Sequence, residues 1–361
     1  MRVNGRAMRP IFVEDGAVKI IDQRKLPFAL EIAALATEAD AARAIADMAV
    51  RGAPLIGATA AYGLALAMGE DPSDGNLAAA RRRLAATRPT AINLAWALER
   101  VGEVLRPLAP SERRERAWAE AGALVEEDVA INRAIGEAGL GLIRAAAERT
   151  GGRVRILTHC NAGWLATCDW GTATAPMYLA HDAGLDVHIW VDETRPRNQG
   201  AFLTAWELHN HGVPHSVIVD NAGGHLMQHG EVDLCLVGTD RVTRRGDVCN
   251  KIGTYLKALA AQDNGVPFYV CLPSPTIDWR VTDGVAEIPI EERSAREVTH
   301  LAGRTEEGAV VEARVVSPGS DAANPAFDVT PARLVTGLVT ERGVADASEA
   351  GLRKLFPGAP A

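Results

Sequence analysis

Apolar positions recur along the chain with two different periods, and the change falls near residue 150. Before it, Ala, Leu, Ile, Val and Trp return every three to four positions through Leu77–Thr87, Ala91–Arg106 and Ser111–Glu148, the spacing that lays an apolar stripe along a helix. Thr37 with Asp40 reads as a capping box opening a further helix toward Val50, and Pro54 marks a break. In this first third only Val18–Ile21, ahead of Asp22, Gln23 and Arg24, reads as a strand.

Gly151 and Gly152 end the helical pattern. Short apolar runs follow at Val154–Leu157, Val187–Val191, Ser216–Val219, Leu234–Val237 and Phe268–Leu272. Helical stretches lie between or beyond them at Thr172–Asp182, Ala201–Asn210, Gly223–His229 and Lys251–Ala261. Strands that are apolar on both faces, alternating with helices, predict a parallel sheet covered on each side. The fold expected is α/β. A mainly helical N-terminal domain (1–130) precedes a Rossmann-like, doubly wound, mostly parallel sheet domain (131–361), with the boundary somewhere within 124–152. The 305–323 stretch reads as a loop or small hairpin.

Composition removes several function classes. The 361 residues are 47% hydrophobic and 23% charged, with a net charge of -8. No basic domain is evident, so nucleic acid is not an expected partner, and an anionic ligand must be met by a local cluster of cations. Arg81, Arg82 and Arg83 read as a solvated helix face. The five cysteines show no C-x-x-C pair, which argues against a disulfide framework and a zinc–thiolate site. The N-terminus lacks an apolar signal core. The most apolar segment, Ala53–Met68, contains Pro54, Gly57 and Gly63 and is too short to span a bilayer. A cytoplasmic protein without membrane contact is expected.

Open α/β sheets bind ligands beyond the carboxyl ends of their strands. Here those ends read Thr158-His159-Cys160-Asn161, Asp192-Glu193-Thr194-Arg195, Asp220-Asn221 and Gly238-Thr239-Asp240-Arg241. Turns alone account for Gly, Asn and Asp, but not for a cysteine and arginines as well. Arg195 and Arg197, in a proline-stiffened turn, and Lys251, at an expected helix start, suit a phosphate. No phosphate-binding loop or dinucleotide fingerprint is present. Cys235 and Cys271 lie inside strands and read as core, and Cys168 and Cys249 as packing residues. His225 and His229 share a helix face without a third ligand at a known spacing, His209 and His211 read as exposed or core, and no metal is expected. His159 is expected to point away from Cys160. Trp96, Trp164, Trp190 and Trp206 read as core, with Trp164 available to wall an apolar pocket.

Longer motifs carry a resemblance. RGAPLIG (51–57), RPTAINLAWAL (88–98), THCNAG (158–163), DETRPRNQGAFLTAWEL (192–208), GTDRV (238–242), GDVCNKIGTY (246–255) and NPAFDVTP (324–331) resemble the methylthioribose-1-phosphate isomerase family. The match begins at DQRKLPF (22–28) and spans nearly the whole chain. Thr239 stands where alanine is commoner, and the 220–225 segment also departs. The wider superfamily contains ribose-1,5-bisphosphate isomerases and non-catalytic regulatory subunits of a translation-initiation exchange factor. The resemblance implies an aldose–ketose isomerase of methionine salvage, a homodimer acting on a sugar phosphate without a cofactor. Asp240 would be the proton donor and Cys160 the transition-state stabiliser or base. Substrate and phosphate contacts would fall to Arg51, Gly52, Ala53, Arg88, Gln199, Asn250 and Lys251. Retention of Cys160, Asp240, Asn250 and Lys251 argues against a purely regulatory role, and a bisphosphate would require further cations.

The chemistry gives these groups a purpose. A sugar phosphorylated on its anomeric carbon cannot open its ring spontaneously, so an acid must protonate the ring oxygen as the C1–O bond breaks. Hydrogen then moves from C2 to C1, either through a thiolate base or as a hydride. Both routes are open to these residues.

Overall fold

The parallel sheet is built on Val154–Thr158, Val187–Asp192, His215–Ile218, Leu234–Val237 and Phe268–Cys271, which agree with the five predicted runs to within a residue at either end. A computed structural model describes residues 1–89 and 91–360. Two further strands, Gly337–Thr340 and Gly343–Ala345, complete seven. In spatial order the strands begin at residues 343, 337, 268, 234, 154, 187 and 215. All neighbours are parallel except the terminal 337–340/343–345 hairpin.

This order contains a reversal. From Val154–Thr158 the chain adds two strands on one side, then returns to add Leu234–Val237 on the other, pairing Ile156 with Leu234. Loops leaving these two central strands diverge and open a crevice, the switch point at which doubly wound sheets bind ligands. Cys160 follows one of the two strands and Asp240 the other.

The N-terminal region is helical, with a small antiparallel sheet of Ile11–Glu14, Ala17–Ile21 and Ile32–Leu35. Only the middle strand was predicted. The Thr37/Asp40 capping box opens the helix Glu38–Ala46. Helix Ala53–Glu70 is buried nearly all round at the centre of the bundle, which explains a composition without an apolar stripe. No helix among the described residues is long and apolar enough to cross a membrane.

Helix Pro110–Thr150 is 41 residues long, about 60 Å at 1.5 Å per residue. Its first half places Ala117, Ala121 and Leu124 in the N-terminal core, and its second places Ile135, Ile143 and Ala146 against the parallel sheet. Residue 130 therefore lies inside a helix shared by two cores.

A second sheet covers the crevice, with Arg241–Thr243 and Val248–Lys251 between Ile277–Asp278 and Phe327–Thr330. The expected helix at Lys251–Ala261 needs correction. Lys251 ends a strand, and the helix runs Thr254–Asp263. Its start is set by a distant residue: the Asp328 carboxylate accepts from the Gly253 N–H at 2.7 Å and the Tyr255 N–H at 3.1 Å. Within 305–323, residues 310–314 pair with His300–Arg304 as a hairpin.

Candidate active site

Cys160 leaves its strand with φ +66°, a left-handed conformation that costs a non-glycine residue about 1–3 kcal/mol. Neighbours hold it there. Its N–H donates to Thr194 Oγ1 at 2.8 Å, and its carbonyl accepts from Thr204 Oγ1 at 2.7 Å. Asp240 is fixed through its N–H to the Cys249 carbonyl at 3.0 Å. The unusual Thr239 hydroxyl also donates to that carbonyl, at 2.8 Å. Both Cys160 and Asp240 line one cavity, roofed by the N-terminal region.

The roof supplies the RGAPLIG segment. Gly52 has φ +96°, and a Cβ there would stand 2.4 Å from the Ala166 carbonyl oxygen, so only glycine fits. It starts the 18-residue helix Ala53–Glu70, whose first turn faces the cavity with its unpaired N–H groups and positive dipole end. Arg51 precedes it, tied to the Asn161 side-chain oxygen and, at 2.8 Å, to the Asn161 carbonyl.

Three more cations line the cavity, Lys251 buried and Arg88 and Arg241 half-buried. The Lys251 ammonium donates to the Ala326 carbonyl at 2.8 Å and lies 4.3 Å from the Phe327 ring centre. Burial pulls its pKa down, as it does that of Arg88. Arg88 stands 3.7 Å from Glu291, and its Nε has no hydrogen-bond partner among the described residues, nor has Gln199 Oε1. Half-buried and buried cations and unpartnered polar atoms facing one cavity are what an anionic, hydroxyl-bearing ligand would satisfy. Burial pushes the Cys160 thiol up; Arg51 and Lys251 pull it back, and Asp240 adds to the rise.

Of the nine residues named from the resemblance, Asn250 faces an adjoining recess shared with Cys160, Asp240, Arg51, Gly52 and Ala53, and the other eight line the cavity itself. Arg195 and Arg197 are not among them. Arg195 donates to the carbonyls of Pro196 and Val298, and Arg197 pairs with Glu297 at 2.8 Å, so both are structural. Cys249 lines the cavity instead of merely packing, with its thiol pushed up to about 12 by burial. Trp164 is wholly buried in the sheet core and does not line the cavity that holds Cys160 and Asp240. The apolar wall comes from Met48, Ile288, Pro289 and Phe327, scattered residues that no local pattern links.

His159 lies between Asp192 (2.7 Å) and the Ile252 carbonyl (2.8 Å). Among the described residues His159, Asp192 and Asp220 form the one group with metal-ligand spacing. Lys257 already places its ammonium there, 3.3 Å from Asp192 and bonded to the Asp220 carbonyl, so the position of a cation is taken. The His225 and His229 rings lie 4.2 Å apart, tilted at 44° to each other.

Crevice, catalytic-type side chains and cation cluster together are those of an enzyme site suited to an anionic ligand, on an α/β scaffold. Comparison with known proteins narrows the class. The model of the initiation factor 2 subunit family matches residues 49–347. A methylthioribose-1-phosphate isomerase of Methylobacterium nodulans is 68% identical, covering 99% of this chain and 98% of its own. One of Cereibacter sphaeroides is 65% identical, with 99% of each covered. Among solved structures, 5-methylthioribose 1-phosphate isomerase of Pyrococcus horikoshii superposes with TM-score 0.85 at 38% identity, over 98% of this chain and 97% of that one. The translation initiation factor eIF-2B subunit delta of A. fulgidus follows with TM-score 0.81 at 39% identity, over 97% and 100%. The chain belongs to the initiation factor 2 subunit family and, within it, to the methylthioribose-1-phosphate isomerases.

Proposed function

We propose that this isomerase converts 5-methylthioribose 1-phosphate to 5-methylthioribulose 1-phosphate in methionine salvage, as a cytoplasmic homodimer, and also accepts 5-deoxyribose 1-phosphate. The observation that carries the reading is the meeting of Cys160 and Asp240 at the switch point, in a cavity with Arg51, Arg88 and Lys251. The 1-phosphate lies against these cations and the first turn of helix Ala53–Glu70, with Asn250 and Gln199 holding oxygens of the substrate. Arg241, which also lines the cavity, stands 3.7 Å from Asp278, and Arg293 is paired with Glu291 and Glu297 at 2.8 Å each, so these two cations already have acidic partners, which supports one phosphate site over two.

Asp240 gives its proton to the ring oxygen, and the C1–O bond breaks with positive charge left at C1. The hydrogen on C2 moves with its electron pair to C1. The proton on the C2 oxygen then returns to Asp240 as the carbonyl forms. Burial that keeps Cys160 a thiol favours this hydride route over a resting thiolate base, and an arriving phosphate dianion would raise the thiol further. Cys160 then walls and polarises the migrating centre.

Kinetics on four sugars test the substrate. Methylthioribose 1-phosphate should be turned over best, with 5-deoxyribose 1-phosphate lower in kcat/KM by about 10- to 200-fold. Ribose 1,5-bisphosphate and unphosphorylated methylthioribose should be near background, because a second phosphate finds no partner and the free sugar leaves the cations unpaired. A preference for the bisphosphate would overturn the reading.

A further inference from the structure

Glu207 stands behind the site. It is fully buried, on helix Ala205–His211, and among the described residues its carboxylate bonds to the loop after Cys160 and to Tyr178 on helix Thr174–Asp182. Oε1 accepts from Asn161 Nδ2 at 3.0 Å and from the Leu165 N–H at 2.8 Å. Oε2 accepts from the Trp164 N–H at 3.1 Å and the Tyr178 hydroxyl at 3.0 Å. The carboxylate fills the space of a side chain at residue 163: a Cβ on Gly163 would stand 1.7 Å from Oε2.

Asn161 is the link to the ligand cavity. A carboxamide has a donor end and an acceptor end, and its orientation follows from what binds each. Here Nδ2 is committed to Glu207 and to Thr204 Oγ1 at 3.2 Å. Oδ1 must therefore face the other way, where it and the Asn161 carbonyl receive both arms of the Arg51 guanidinium. A carboxylate at 207 can only accept and so enforces this orientation, whereas an amide there could face Asn161 with either end. Burial pushes the Glu207 carboxyl up to about 7, while the donors from Asn161, the Leu165 N–H and Tyr178 pull it back toward the ionised, accepting form.

We propose that Glu207 is a positioning residue for anion binding, acting through the Asn161 amide to hold the Arg51 guanidinium at the phosphate subsite. The proposal rests on the reading of Arg51 as a phosphate ligand. It is tested by calorimetric titration of inorganic phosphate, which needs no turnover. Glu207→Gln and Asn161→Ala should each weaken phosphate by about 10-fold, the scale of one charge-assisted contact. In an Arg51→Ala background Glu207→Gln should add less than about twofold, because its effect passes through the missing guanidinium. Tyr178→Phe, which removes one bond to Glu207 and leaves Asn161 held, should bind phosphate like the parent. In turnover, Glu207→Gln should raise KM more than it lowers kcat. If Glu207→Gln does not fold, Asn161→Ala against Arg51→Ala decides alone. Unchanged phosphate affinity in either variant, or losses that add fully to that of Arg51→Ala, would overturn the proposal while leaving the isomerase reading intact. A parent protein that binds no phosphate would overturn both.

Discussion

The guanidinium of Arg51 donates to the main-chain oxygen of Asn161 at 2.8 Å, which ties the helical region to the residue after Cys160. One contact thus sets the cation proposed to bind the anion and the side chain proposed to act on the substrate in a common frame. The site exists only where the two regions meet, so its integrity should depend on the residues that let them approach.

Gly52 is the sharpest case. Its positive φ and the Ala166 backbone 2.4 Å from a would-be Cβ make Gly52→Ala strained and clashing at once. The variant should lose about 1–3 kcal/mol of stability and most of its phosphate affinity. Gly152→Ala, with nothing within 4 Å of its Cβ position, should change stability by less than about 0.5 kcal/mol. Thermal melts with and without phosphate check both; a Gly52→Ala protein that melts and binds like the parent contradicts the packing described.

The Cys160 thiol is held above its ordinary range, chiefly by burial. At pH 8 its alkylation by iodoacetamide should be much slower than that of free cysteine, because the thiolate is the nucleophile. The rate should rise with pH beyond the usual thiol range. Arg51→Ala removes a charge that favours the thiolate and should slow alkylation further. Peptide mass mapping separates Cys160 from Cys249. Rapid labelling of Cys160 at neutral pH would restore the thiolate-base route.

Asp128, buried beside Cys168, carries a carboxyl raised from 3.8 to about 6 by burial, although it accepts the Cys168 N–H at 2.7 Å. The unfolded chain therefore gives up this proton more readily than the folded one. Its contribution to stability is fully present below the unfolded pKa and is lost as pH rises toward 6, a change of about 3 kcal/mol. Asp128→Asn should flatten that part of the profile, so the difference in stability between variant and parent grows from pH 4 to pH 7. Parallel profiles would contradict the burial described.

The sheet was legible because each central strand is an apolar run between helical stretches, and such a run has few alternatives to a covered parallel strand. That Cys160 and Asp240 share a cavity was legible for the same reason: both directly follow strands. Gly337–Thr340 was missed because four residues with one glycine carry little pattern, and the strand is specified by pairing with Phe268–Cys271 far along the chain. The start of helix Thr254–Asp263 was misplaced because its cap comes from Asp328. Arg195 and Arg197 looked like phosphate ligands because their partners, the Val298 carbonyl and Glu297, lie about a hundred residues away. Glu207 sat in plain view within a quoted motif, but nothing local distinguishes a buried glutamate from an exposed one on a short helix.

The most direct test of the account compares turnover and phosphate affinity in Asp240→Asn and Cys160→Ala. Both residues are placed in the chemistry and not in the anion cradle, so each substitution should lower kcat by roughly 100-fold or more while the affinity for inorganic phosphate stays within about twofold of the parent. Either variant turning over methylthioribose 1-phosphate at the parental rate, with its fold intact by circular dichroism, would contradict the account.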